Sequence, residues 1–239
     1  MLPHLQRFRR LTLSAEEWSD LLVAAVIGVI VGGRLGYVLF YAPAYFFQHP
    51  FEIFAVWHGG MASHGGFIGV AVALLWVLRR RSRETILRIA DIVVIPVTIG
   101  LGLGRIGNFI NQELYGTVTT LPWAMAFPGA DGLRHPIQLY DFFLQMLIAL
   151  TLFWYLRRTE PDQRIGRVCA LFLILYAVAR FLLECIREQH GELIALGGLE
   201  FSKGQLLTIP IVIVGSWLWM KTKLPVGEGE QLKMTRGGG

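Results

Sequence analysis

Charge is what this chain has least of. Charged residues are 16% of the 239, against about 25% in soluble domains, which excludes an ordinary water-soluble globular protein. Cysteine is nearly absent too. Cys169 and Cys185 both lie inside a hydrophobic segment, which excludes a disulfide framework and a thiolate metal site and leaves two inert core thiols. The first twenty residues hold Arg7, Arg9 and Arg10 but no apolar stretch of the kind a cleavable signal needs. Repeats and low-complexity tracts are also lacking, so a solenoid is excluded. A formal net charge of +5 invites a nucleic-acid reading, but the basic residues are not gathered on one amphipathic element or interleaved with stacking aromatics.

What the chain has in abundance is apolar length. Hydrophobic residues make up 54% and the mean hydropathy is +0.52. Six runs, approximately 21–41, 60–78, 89–111, 137–156, 166–186 and 204–220, each approach the ~20 residues that cross ~30 Å of hydrocarbon. The expected fold is therefore all-α: a polytopic membrane bundle of about six transmembrane helices with a short extracytoplasmic loop region. Residues 1–20 form a cytoplasmic segment in this reading, 21–221 the membrane domain, and 222–239 a cytoplasmic, disordered tail.

Orientation follows from the basic residues, which are retained on the cytoplasmic side. Sixteen of the 22 fall at the two ends of the chain and in the loops around 79–88 and 157–167, whereas the opposite loops hold only Arg134 and Lys203. Both termini are accordingly expected inside. The other four, Arg34, Arg105, Arg180 and Arg187, lie within or at the ends of spans. Counting ~1.5 Å per residue from the cytoplasmic side puts them at ~20, ~24, ~18 and ~28 Å, the outer half of the membrane. Snorkelling or pairing would account for any one of them; their coincidence at one depth points to a shared site toward the outer leaflet.

The stretch Gly100–Gly116, GLGLGRIGNFINQELYG, closes an apolar run with Arg105, Asn108, Asn111, Gln112 and Glu113 set among glycines. A central arginine costs roughly 2.5 to 3.5 kcal/mol on insertion scales and is seldom without purpose. In the fifth span Tyr176, Arg180, Glu184 and Arg187 recur at helical spacing on one face. If Glu184 holds one guanidinium, the other is free for an anion; adding Arg105 raises the surplus to two positive charges, a receptor for a phosphodiester headgroup.

Between the first two spans, VWHGGMASHGG carries His58 and His64. A spacing of six puts the two on different helix faces with no further ligands beside them, so no metal is expected. His64 suits general-base work near neutral pH, or is a hydrogen-bonded interface histidine; His58 reads as interfacial. The segment 117–134 is too polar to span, with Trp123 and Phe127 suited to the interface, and is either a lid or a plain connection.

These residues resemble the bacterial prolipoprotein diacylglyceryl transferase family. The 100–116 stretch is similar to that family's long signature. GGRLGYVLFY at 32–41, HGG at 64–66, RHPIQLY at 134–140, the Tyr176/Arg180/Glu184/Arg187 stripe and GQ at 204–205 match in order and spacing, from about Asp20 to Lys221. The resemblance implies an enzyme of the bacterial plasma (inner) membrane that moves the diacylglyceryl group of phosphatidylglycerol onto the lipobox cysteine of a prolipoprotein signal peptide. A thioether forms, glycerol 1-phosphate leaves, and no cofactor takes part.

Carried over, the resemblance makes His64, Arg105, Tyr176 and Arg180 the catalytic residues. Arg105, Asn108, Glu113, Gly116, Glu184 and Arg187 bind substrate, and Arg34, at the same level, is counted with them. Two departures stand out. Asp141 occupies a position where the family has Glu, and the family has one more transmembrane helix ahead of the span that starts near Leu21. An anion or lipid-phosphate transporter is the alternative that surplus guanidinium would also serve, although the inverted repeats and broken helices of transporters are not evident. No oligomeric state is assigned.

Overall fold

The computed structural model describes residues 1–188, 194–196 and 199–222, with the side chains of all of these except His58, Ser63, His64, Ile194, Leu196, Leu199 and Lys203. The expected disordered tail therefore lies, from residue 223 onward, outside the described residues. A short helix α1 (Leu2–Leu5) and a 3-10 turn at Gln6–Arg9 precede the first long helix, α2 (Ala15–Phe40). Next come α3 (Pro43–Gln48), 3-10 turns at Pro50–Phe54 and Val56–His58, α4 (Ser63–Leu78) and α5 (Arg83–Ile110). The chain ends in α6 (Ile137–Arg158), α7 (Arg167–Glu184), a hairpin of β1 (Ile194–Leu196) and β2 (Leu199–Phe201), and α8 (Lys203–Lys221).

The all-α membrane bundle is found, and each of the six apolar runs has become a helix. The count of crossings is approximate. α2, α5, α6 and the Gly204–Lys221 part of α8 are long and apolar enough to cross a membrane, and α4 is a shorter apolar helix. α7 is 18 residues long and carries Arg167, Arg180 and Glu184. The antiparallel hairpin was not foreseen, because three-residue strands leave no periodic signal.

Helix starts follow local chemistry. α2 begins at a capping box in which Ser14 Oγ accepts from the Glu17 N–H and the Glu17 carboxylate accepts from the Ser14 N–H. α8 repeats the device with Ser202 and Gln205. Each box satisfies two N–H groups at the helix start, one of them the cap residue's own. It also gives the GQ motif at 204–205 a structural part.

The chain divides into two compact units. In the unit Thr12–Ile86, α2 packs on α4 through Gly28, Gly32 and Gly36 against Gly65 and Gly69. A Cβ on Gly69 would stand 2.1 Å from the Gly28 carbonyl oxygen, so only glycine allows backbones this close. The other unit, Met1–Leu11 with Leu87–Gly239, contains α5 to α8, with α7 packed between α6 and α8. At one end of it the first residues are threaded into the fold: Arg9 and Asp91, both 0% exposed, pair at 2.9 Å. Asp91 also accepts from the Gly166 and Cys169 N–H groups at the start of α7.

Candidate functional site

α5 delivers Arg105 one and a half turns before its end. Beyond it the chain reverses with Gln112 and Leu114 at φ +57°, a left-handed conformation uncommon for residues other than glycine. Gln138, one residue into α6, fixes this reversal by donating to the Glu113 carbonyl oxygen at 2.6 Å. Glu113 in turn accepts from Asn108 Nδ2 at 2.8 Å, and Arg105 Nη1 donates to Asn108 Oδ1 at 3.3 Å. The amides and the acid of the signature are thus a chain of hydrogen bonds that ends on the Arg105 guanidinium.

From the other side Asp141 reaches Arg105 Nε at 2.7 Å, and Gln145 steadies Asp141 by donating at 3.1 Å. The shorter acid at this position does meet a partner. On α7, Glu184 lies 2.9 Å from Arg180 and 3.7 Å from Arg187. One carboxylate therefore stands between both guanidiniums instead of leaving one to itself. Arg105, Asp141, Arg180 and Arg187, together with Leu114, Ile137, Gln138 and Leu183, line a single cleft.

Three guanidiniums pair directly with two carboxylates here, Asp141 and Glu184, and a third acid, Glu113, reaches Arg105 only through Asn108. The surplus of two counted from the sequence omitted Asp141, whose pairing crosses from α6 to α5 and leaves no trace in spacing. Arg187, just past the end of α7, shares Glu184 with Arg180, so two guanidinium charges stand close together. Like charges crowded in this way favour the arrival of an anion.

Segments after the helices hold the cleft in shape. Gly116 donates to the His135 carbonyl oxygen and Thr117 to that of Ile186, each at 2.9 Å. A Cβ on Gly116 would come within 2.7 Å of both His135 Cβ and the Ile186 oxygen, which explains a glycine there. By contrast Gly100, Gly104 and Gly107 would meet nothing within 4 Å among the described residues. Within the stretch, close neighbours among the described residues stand only at Gly102, where a Cβ would come 2.6 Å from Met146 Cε, and at Gly116. The 117–134 segment is laced by Thr119 N–H to Leu133 O and by reciprocal bonds between Met125 and Arg134. Phe127, expected at an interface, is instead buried, stacked 5.2 Å from Tyr115. Arg134 contacts Glu188 at 2.5 Å, and that hydrogen bond raises its pKa above the usual arginine value.

Each site residue expected from the sequence has a place. Arg105, Asn108, Glu113, Gly116, Arg180, Glu184 and Arg187 are brought together in this one unit. Tyr176 lies one turn before Arg180 on α7, against Phe172 with ring centroids 5.6 Å apart. Arg34 and His64 belong to the other unit. The Arg34 guanidinium, on a residue 5% exposed, is directed at backbone carbonyls of residues 52–60. His64 stands in the first turn of α4, and its side chain lies outside the described set. Gln138 and Asp141 were missed as site residues; the RHPIQLY motif at 134–140 was the signal available.

Comparison with known proteins is consistent with this geometry. Residues 3–221 match the family model described as prolipoprotein diacylglyceryl transferase. The phosphatidylglycerol–prolipoprotein diacylglyceryl transferase of Legionella pneumophila (strain Paris) is 44% identical over 213 residues, covering 88% of this chain and 81% of that protein. The protein of the same name from Methylobacillus flagellatus is 50% identical over 202 residues, 84% of this chain and 76% of its own length. That from Nitrosomonas europaea is 46% identical over 202 residues, 84% and 71% of the respective chains.

Proposed function

The chain belongs to the prolipoprotein diacylglyceryl transferase family, and from that premise we propose that the Arg105 cleft receives the phosphate of phosphatidylglycerol while a precursor cysteine attacks the adjoining glycerol carbon. It is a transferase acting at the first step of bacterial lipoprotein maturation. The observation that carries the reading of the site is the convergence of Arg105, Arg180 and Arg187 on one cleft, where they outnumber the carboxylates paired directly with them.

The chemistry has three requirements. A cysteine thiol, with a reference pKa of about 8.5, must lose its proton to become a strong nucleophile. The resemblance and the near-neutral titration of imidazole make His64 the base, with Tyr176, one turn from Arg180, as the group relaying or orienting the proton. The thiolate then forms a carbon–sulfur bond as the carbon–oxygen bond to phosphate breaks, so charge develops on the departing glycerol 1-phosphate. Arg105 and Arg180 are placed to take up that charge, each already held by one carboxylate. In a dry site such interactions are worth far more than in water. Arg187 and the Asn108–Glu113 chain hold the headgroup and the Arg105 rotamer.

The basic loops support an inner-membrane protein with both described ends cytoplasmic and the cleft toward the outer leaflet. The test is incubation of membranes carrying the chain with phosphatidylglycerol and a precursor peptide, reading the peptide mass. One diacylglyceryl group added to the cysteine is expected, and an unmodified peptide overturns the reading. For the base, His64→Gln is expected to abolish turnover across neutral pH; parental turnover would remove His64 from the mechanism.

A further inference from the structure

Arg34 sits at the level where a phosphate ligand was expected, yet its guanidinium is directed inward to its own unit. Nε donates to the Ile53 carbonyl oxygen at 2.9 Å and Nη2 to that of Glu52 at 2.5 Å. Nη1 donates to the carbonyl oxygens of Gly59 at 2.6 Å and Gly60 at 3.2 Å. The ring of Phe46 lies under the same group, 5.0 Å from its carbon. Four of the five N–H groups of an arginine are thus directed at main-chain oxygens of one nine-residue stretch.

That stretch leads directly into α4. Gly59 and Gly60 have φ of +80° and +73°, and these two left-handed residues turn both carbonyls onto Nη1. Two residues on, the Ala62 N–H donates to the Gly33 carbonyl oxygen at 2.9 Å, and Ala62 is the N-cap residue of α4. Neighbouring residues of α2, 33 and 34, therefore fix where α4 begins. His64 is the second residue of that helix.

We propose that Arg34 is a positioning residue for the transfer reaction: it sets the first turn of α4, and through it His64, by gathering the carbonyls of residues 52–60, and it does not hold the phospholipid anion. The proposal rests on His64 being the base. A guanidinium is needed because its planar fork addresses several acceptors at fixed angles, whereas an ammonium is a point charge on a flexible stem. A displacement of about 1 Å in a catalytic group costs on the order of 100-fold in rate, so the clamp controls turnover without touching substrate.

The experiment compares Arg34→Lys, Arg34→Gln and Gly60→Ala in the full chain, using phosphatidylglycerol micelles and a precursor peptide. A Cβ on Gly60 would come 2.7 Å from the Tyr37 ring and 2.9 Å from Arg34 Nη1, so this third variant disturbs the clamp with the charge intact. All three are expected to lower kcat, by about 100-fold for the two Arg34 variants, with KM for phosphatidylglycerol within two-fold of the parent. A second readout is independent of turnover: the rate at which diethylpyrocarbonate modifies His64, followed by peptide mass, is expected to change at least three-fold in Arg34→Gln.

If Arg34→Lys is near parental while Arg34→Gln raises KM ten-fold at unchanged kcat, Arg34 is an anion ligand and the proposal is overturned. An unchanged modification rate overturns it too. Should the Arg34 variants fail to fold, Gly60→Ala decides, and parental kcat there is equally fatal. Failure of the base assignment looks different: His64→Gln would then turn over normally while the modification rate still responded to Arg34.

Discussion

Two of the arginine–carboxylate clusters in the unit Met1–Leu11 with Leu87–Gly239 resolve their charge in opposite ways. Around Asp91 one guanidinium meets one carboxylate, both fully buried, and the remaining acceptor capacity of the acid is taken by N–H groups at the start of α7. Around Asp141 and Glu184, three guanidiniums meet two carboxylates along a narrow, partly exposed cleft. The first cluster is a closed pair that ties the chain's beginning to α5 and α7. In the second the guanidiniums outnumber the acids that pair with them directly, and its geometry is rigid because each of those acids also fixes the direction of its partner. Stoichiometry and exposure, more than residue type, separate a fastening from a receptor.

The comparison breaks most readily at Asp91. Asp91→Ala strands the Arg9 charge in the interior, and loss of one partner of a buried pair costs about 3 to 5 kcal/mol; thermal melting should fall steeply. Replacing both residues with Met and Leu should recover most of that loss. If the single variant melts like the parent, the cluster is not a fastening.

Arg105→Lys comes next. It should leave melting nearly unchanged while lowering transfer about 100-fold or more, the scale of one lost donor to a developing anion. Parental transfer with lysine would reduce the cleft to an anchor for charge.

Asp141 sharpens the contrast, since here the acid holds the guanidinium proposed to meet the phosphate. Asp141→Asn should reduce transfer about ten-fold by loosening Arg105, and Asp141→Glu, which keeps the charge on a longer side chain, should stay within a few-fold of the parent. A larger loss with Glu than with Asn would show that length and not charge decides.

The smallest effect is expected at the half-buried pairing of Asp162 with Arg88, 2.8 Å apart. That hydrogen bond holds the Asp162 carboxyl below its ordinary value. A carboxylate with a depressed folded-state pKa adds stability that is present above the unfolded value near 4 and disappears as pH falls through the folded one. Parent and Asp162→Asn should thus differ slightly in melting at pH 6 and converge toward pH 3. A gap that widens on acidification would contradict the pairing.

Much of this was legible from the chain alone, for physical reasons. Apolar runs near twenty residues have few alternatives to helices, and Tyr176, Arg180, Glu184 and Arg187 share a face because helical periodicity leaves no choice. Arg105 with Asn108 and Glu113 is local as well, all within nine residues. What sequence could not give was partnership across elements. Asp141 meets Arg105 from another helix, and Gln138 reaches back 25 residues to Glu113. Arg9 was counted among solvated cytoplasmic charges, since a tally of basic residues treats a buried guanidinium like an exposed one. Arg34 was assigned a depth, but depth says nothing about whether a guanidinium faces a ligand or its own main chain.

The glycine seam between α2 and α4 has a mechanical consequence. No rotamer stands between the two backbones, so neither helix can creep along the other by small side-chain adjustments. The seam behaves as a toothed rack: a slip must be a full tooth, about 5.4 Å for one helical turn, or it does not occur. The height of the residues at the start of α4 is therefore set in steps and not by degrees.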